Sequence, residues 1–277
     1  MQQQYPPSRT ICCLSFHETD KIRLINAPES LVSPLRQAIV STWNQSIKRE
    51  TSLPQCGGHE FSLKGSPWGP SPKTGPLITS TNLVRALSRV MEQWGWSLIL
   101  ASNVSHVREE KDSLFFERED HQEPLLSLQE RDTGQMTLVD ASERKEYEKG
   151  DEAALEGVNS FTVELFGYDT IRVAGAPAAV IDALRLAILR HWTQGHKEGV
   201  VKGAHEFTFT GCPFQTWGSE TSIEIAMVVI QALENVRKYG FKLCESTDVS
   251  VVGNKYETQK VKEKQIIDSW VLRRSKQ

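Results

Sequence analysis

Five cysteines and seven histidines are the residues of this chain best suited to act as nucleophile, metal ligand or general base. The cysteines are Cys12, Cys13, Cys56, Cys212 and Cys244. They are odd in number and contain no C-x-x-C pair, which points to reduced thiols in an intracellular compartment rather than a disulfide framework. None adjoins a histidine in sequence, and strand cysteines such as Cys12 and Cys244 are expected to pack as inert thiols. Among the histidines, His191 and His196 stand five apart, which is not the i, i+4 spacing of a shared metal face. His59 and His205 occupy matching places in two similar stretches, so each is expected to close the edge of an apolar face with one ring nitrogen bonded to backbone. No metal and no cofactor are expected. The chain has neither G-x-x-x-x-G-K-[ST] nor G-x-G-x-x-G after a strand. Prolines in the loop from Gly65 to Gly75 remove the N–H donors that a phosphate cradle uses, and no G-x-S-x-G elbow is present.

Carboxylates invite an acid–base reading at Glu60 and Glu206, each inside a His-Glu-Phe triplet. Strand alternation gives a plainer one: Glu60 shares a face with Arg23, and Glu206 with Arg172, as cross-strand ion pairs on the solvent side of a sheet. Trp68 and Phe214 each follow a Gly-x-Pro in a loop, where an aromatic either plugs its own sheet or offers a contact surface. The residues expected to bind a partner are therefore Trp68, Arg23, Lys64, Phe214 and Arg172, with the loop at Trp68 the preferred place. On that reading Trp68→Ala weakens partner capture with little loss of fold.

These residues recur because the elements that carry them recur. Ile22-Arg23-Leu24-Ile25-Asn26-Ala27-Pro28 matches Ile171-Arg172-Val173-Ala174-Gly175-Ala176-Pro177. Trp43 then meets Trp192, His59-Glu60-Phe61 meets His205-Glu206-Phe207, and Gly95-Trp96 meets Gly240-Phe241. Such self-similarity marks a duplicated unit. Each copy reads as an α+β domain, ββαβαββ, with a mostly antiparallel sheet and two amphipathic helices on one sheet face. The predicted organisation is a disordered N-terminus over 1–9, repeat one over 10–118, a linker over 119–158 and repeat two over 159–277. The linker holds 12 Asp or Glu against 4 Lys or Arg, a balance that predicts a mobile acidic segment, with a short helix at Ala141–Lys149. Asn254–Lys264 reads as an exposed loop. Gly95 and Gly240 sit where a helix end needs positive φ.

The stretches Phe61-Ser62-Leu63-Lys64-Gly65-Ser66-Pro67-Trp68 and Gly95-Trp96 resemble a family of uncharacterised eukaryotic proteins. Those proteins share a strand ending Lys-Gly-x-Pro-Trp, a helix, then Gly-Trp and a strand. The resemblance covers most of repeat one, while repeat two departs from it at Thr210, Phe214 and Phe241. It implies the domain and no activity.

Net charge is −3, which argues against a general polyanion binder. The outward residues of the second His-Glu-Phe strand, Glu206, Thr208 and Thr210, do not match the aromatic RNA-binding pattern. Met1–Pro7 has neither a charged nor an apolar signal segment, and no apolar run nears the roughly 18 residues of a membrane helix. The sequence thus predicts a non-enzymatic, cytoplasmic or nuclear interaction protein with a protein partner and no membrane. A small-molecule or lipid pocket between sheet and helices is the alternative, and an enzyme of unrecognised type the third class.

Overall fold

The structure, a computed structural model, describes residues 9–69, 78–102, 113–119, 157–215, 219–247 and 266–274. The predicted linker helix, the Asn254–Lys264 loop and nearly all of the predicted N-terminal segment and linker lie outside the described residues. Repeat one contains β1 (Arg9–His17), β2 (Lys21–Ile25), α1 (Val32–Thr42), β3 (Ile47–Leu53), β4 (Gly58–Leu63), α2 (Ile78–Gln93), β5 (Ser97–Ser102) and β6 (Ser113–Glu119). Repeat two contains β7 (Ser160–Phe166), β8 (Thr170–Ala174), α3 (Ala178–His191), β9 (His196–Val201), β10 (Ala204–Phe209), α4 (Ser219–Lys238), β11 (Phe241–Thr247) and β12 (Ile266–Arg274). The two antiparallel sheets run β3-β4-β2-β1-β6-β5 and β11-β12-β7-β8-β10-β9, the same order read in opposite directions.

The duplication therefore holds element for element. Each repeat has one strand more than the sequence pattern suggests, β3 and β9, so the unit is ββαββαββ. Those strands read IKRETSL and HKEGVV. Neither shows the apolar alternation by which a half-buried strand is recognised, because both are sheet edges. Trp43 and Trp192 end α1 and α3 in the same extended conformation, and both are buried. Gly95 and Gly240 take φ of +78° and +81°, the left-handed conformation a helix end favours glycine for.

The repeats differ in what covers the sheet face away from their own helices. In repeat two, β7 alternates buried and half-buried residues, with Phe161, Val163 and Leu165 inward. In repeat one, Ile11, Cys12, Cys13 and Leu14 are all fully buried, and from His59 to Leu63 every residue of β4 is buried. The second face of sheet one is covered by α4. The Ile11 N–H donates to Glu234 at 3.1 Å, Arg23 Nη1 donates to Ser222 at 2.9 Å, and Arg237 pairs with Glu117. Helical spacing puts Ile230 between Ser222 and Glu234 on that side of α4. The adjoining side, with Val228, Val229, Leu233 and Val236, lines a small cavity together with Val163, Ile171 and Trp270 of sheet two. One core runs through α4, joining Ile11, Cys13, Ile25 and Phe115 to the interior of repeat two. Sheet one, α4 and sheet two are successive layers. The edge strands β5 and β11 also meet, and Ser102 of β5 donates to Asp268 of β12, the neighbour of β11.

Truncating Ile230 to alanine should cost about 2–4 kcal/mol, because it opens a void at the junction of the repeats. Because the core is shared, both repeats should melt together, with circular dichroism and tryptophan fluorescence tracing one shifted transition. Two separate transitions would show that α4 does not couple the repeats.

Candidate functional site

Two kinds of polar constellation recur in the repeats. The first is a row across three neighbouring strands. In repeat two, Arg172 on β8 lies opposite Glu164 on β7 and Glu206 on β10. Its Nε donates to Glu206 at 2.8 Å, its Nη2 lies 2.7 Å from the same carboxylate, and its Nη1 is 3.6 Å from Glu164. The guanidinium carbon also stacks 4.2 Å from the Phe166 ring centre. This row sits on the outer face of sheet two, and its side chains keep 16–24% of their exposure.

The matching row of repeat one is Ser15, Arg23 and Glu60. The expected cross-strand pair forms here too, with Arg23 Nε donating to Glu60 at 2.6 Å. The expected solvent exposure does not: Arg23 is 1% exposed, sealed beneath α4. A buried guanidinium tolerates that place because Glu60 neutralises it and Ser222 supplies a further acceptor. His17 lies at the same junction, 3.5 Å from Ser222. Burial and then the neighbouring Arg23 push its ring down to about 4.

The second constellation is an Arg–Glu–His cluster joining the first helix of each repeat to its edge strand. Arg36 clamps Glu50 with two bonds of 2.8 and 2.7 Å, and His59 Nε2 lies 2.9 Å from the same carboxylate. Arg185 clamps Glu198 at 2.7 and 2.9 Å, with His205 at 2.8 Å and His196 at 3.0 Å. The histidines thus bond a carboxylate rather than the backbone. Glu50 and Glu198 escaped the sequence reading because they lie on the unrecognised edge strands. Their legible signal is a Glu on a charged strand nine and seven residues before the matched histidines His59 and His205. The Arg185 bonds hold the Glu198 carboxyl down at about 2, and the Arg36 bonds likewise lower Glu50. A carboxylate committed to a guanidinium is a poor proton acceptor and a poor cation ligand. Among the described residues no group of three His, Cys, Asp or Glu side chains is placed to hold a metal ion.

The aromatic candidates belong to the core. Trp68 is 9% exposed: its ring centre lies 4.8 Å from that of Phe16, its Nε1 donates to the Lys21 carbonyl and its backbone N–H to that of Thr19. Phe214 is fully buried, 6.0 Å from Phe209, with its N–H donating to Tyr168. Both loops fold over the hairpin turn of their own repeat, so neither ring is presented to a partner. The proline-rich stretch 70–77, on which the preference for repeat one as contact surface rests, lies outside the described residues. Lys64 is exposed, just past the end of β4, and Arg172 is the one candidate on an open sheet face.

Comparison with known proteins follows this division. One domain-family model matches the chain twice, over residues 10–117 and 159–273. The chain belongs to that family. Each family domain corresponds to one six-stranded unit, β1–β6 or β7–β12. No curated protein sequence matches. A solved structure described as a conserved kinetoplastid-specific protein from Trypanosoma cruzi is similar, at 12% identity and a TM-score of 0.29. It is covered over 99% of its own length and covers 43% of this chain.

Two outcomes follow from the site geometry. Trp68→Ala should cost about 3–5 kcal/mol, since it removes a packed ring and leaves a cavity; denaturation of the full chain measures it. Glu198→Gln should cost roughly 0.5–1 kcal/mol, discounted for partial exposure. The folded carboxyl titrates near 2 against 4.5 unperturbed. Its contribution is therefore complete above 4.5 and is lost as pH falls through about 2. The gap between wild-type and Glu198→Gln urea midpoints should close over that window and not above it.

Proposed function

We propose that this chain is a non-enzymatic interaction protein of the cytoplasm or nucleus, and that it takes a protein partner on the outer face of sheet two, around Arg172. The observation behind this reading is the unequal use of one surface. In repeat one the face bearing Arg23 is covered by α4, so a sheet face of this domain type accepts a packed helix. In repeat two the matching face bears Arg172, Glu164, Glu206 and Phe166 and keeps partial exposure. It offers a half-buried ion-pair row beside an aromatic ring, the mixture of polar and aromatic groups common at protein contacts.

The ionisable groups favour binding over catalysis. Burial pushes the Cys13 thiol up to about 12 and Cys56 to about 11, away from the thiolate a nucleophile needs. The carboxylates of the two Arg–Glu–His clusters are engaged by arginine. The cavity between α3, α4 and sheet two measures about 30 Å³ and is wholly apolar, far below the ~300 Å³ at which small-molecule pockets begin. Among the described residues no helix is long and apolar enough to cross a membrane. The Lys-Gly-x-Pro-Trp motif fits the same picture, because its tryptophan closes the domain over its own hairpin.

Affinity capture with the purified full chain, read by quantitative mass spectrometry, tests the proposal. Proteins retained by the wild type should be lost, by about tenfold or more, on a Phe166→Ala, Arg172→Ala double variant whose fold is intact by circular dichroism. They should be kept by Lys64→Ala. A captured set indifferent to the double change would overturn the placement.

A further inference from the structure

The two sheets have four edges, and three of them are blunted against further pairing. β5 and β11 each carry a register shift, between Leu98 and Leu100 and between Leu243 and Glu245, and they lie against one another. β3 carries a shift between Ile47 and Arg49 and exposes Lys48 and Arg49. Bulges and edge charges of this kind are how sheets avoid adding strands. β9 is different. It pairs with β10 through six consecutive residues without a shift, and among the described strands nothing lies on its other side. It contains no proline, and Val200 and Val201 are 70% and 44% exposed.

The adjoining helix adds to this edge. Arg185 of α3 reaches Glu198 of β9, so α3 stands beside the open strand, and there Leu186 and Leu189 are 44% and 60% exposed. Four of the seven large apolar residues exposed in the described chain thus gather on α3 and β9. Gly199 lies in the middle of the strand without a positive φ, and a side chain added there would meet nothing of its own chain. Glycine weakens a strand interior, and where no bulge or turn requires it, it often marks the close approach of another backbone. The matching residue of the blunted edge is Thr51, opposite Glu60 as Gly199 is opposite Glu206.

We propose that β9 pairs antiparallel with β9 of a second copy of this chain, joining the two second sheets into one of twelve strands with the α3 helices side by side. The ladder fixes which backbone groups are free. Thr210 N–H donates to the Gly195 carbonyl, so by alternation the N–H and C=O groups of His196, Glu198 and Val200 point outward. A two-fold axis at Gly199 lets Glu198 exchange bonds with Val200 of the second copy. An axis at Glu198 would oppose two carboxylates directly, which is destabilising. On α3, Arg185 and Leu189 fall on one stripe at i and i+4, and the bond from Arg185 to Glu198 turns that stripe toward β9. The same two-fold axis brings the two α3 helices alongside each other on that side, where Leu189 is exposed. The outward backbone groups of β9 are self-complementary about the axis, and apolar surface lies on both helix and strand. Together these select a second copy over an isolated extended peptide, which would engage the strand alone.

The test is sedimentation of the purified full chain at concentrations up to about 100 µM, well above the Kd of weak standard-size interfaces. The wild type should sediment at twice its 31.2 kDa mass. Val200→Lys and Leu189→Glu should each raise the dimer Kd by about tenfold or more. Ser52→Lys and Val40→Glu, the matching positions of repeat one, should leave it unchanged. Hydrogen exchange gives a second readout: the amides of Glu198 and Val200 should be protected in the wild type and exchange freely in Val200→Lys. A wild type that stays at 31.2 kDa overturns the proposal and leaves β9 to a strand from another protein. So does a dimer that survives both β9-side changes with those amides unprotected. Neither result bears on partner capture at Arg172, which is read on a different face.

Discussion

A twenty-residue helix that is apolar on both sides can rest only between two surfaces that both exclude water. α4 is such a helix, with Ile223, Ile225, Val228, Val229, Ile230, Leu233 and Val236 buried around its circumference. Its first surface is its own sheet. Its second is sheet one, which is why Ile11, Cys13, Ile25 and Phe115 are packed on a face that would otherwise be wet. The polar groups caught in that layer are each given a partner: Arg23 has Glu60 and Ser222, and the Ile11 N–H has Glu234. Burying them unpaired would cost several kcal/mol each and would undo the docking. The architecture of the whole chain follows from that single helix being shared.

Sharing α4 also breaks the equivalence of the repeats. The Arg–Glu pair sits at the same register in both, yet in one it fills the interior and in the other it lies on a surface. A duplicated sequence feature has thus been put to two uses: Arg23 compensates charge inside a junction, and Arg172 remains reachable. The Arg–Glu–His clusters have not diverged in this way. They clamp α1 to β3 and α3 to β9 with the same Arg–Glu–His core, to which repeat two adds His196, and this fits a role in holding helix to edge strand.

Much of this was legible in the residues. The repeat, the helices, the left-handed glycines at the helix ends and the Arg–Glu registers all follow from matched positions and alternation. The edge strands β3 and β9 were not, because a strand with one wet face and one free edge shows polar residues with no period. The covering of sheet one was written in the sequence but read as ordinary alternation. Ile11-Cys12-Cys13-Leu14 is a continuous apolar run, the mark of a strand buried on both faces, whereas Phe161-Thr162-Val163-Glu164-Leu165 alternates. The same contrast separates α4 from α2, which places Thr81, Arg85, Arg89 and Glu92 in solvent. Trp68 was misplaced for another reason: a loop aromatic gives no periodicity, and only the fold shows that its loop doubles back over the hairpin.

These contrasts set what the two outer faces of the stack can accept. Continuing it would require a further helix on the outer face of sheet two, or a further sheet on the outer side of α2. The first surface carries Glu164, Arg172 and Glu206, and the second carries Arg85, Arg89 and Glu92. Either can be buried only by a surface that brings polar or charged groups to match, as Ser222 of α4 does for Arg23. Burial along the stacking direction thus demands matched charge, whereas sideways, along the sheets, three edges are bulged or engaged and the fourth carries exposed valines.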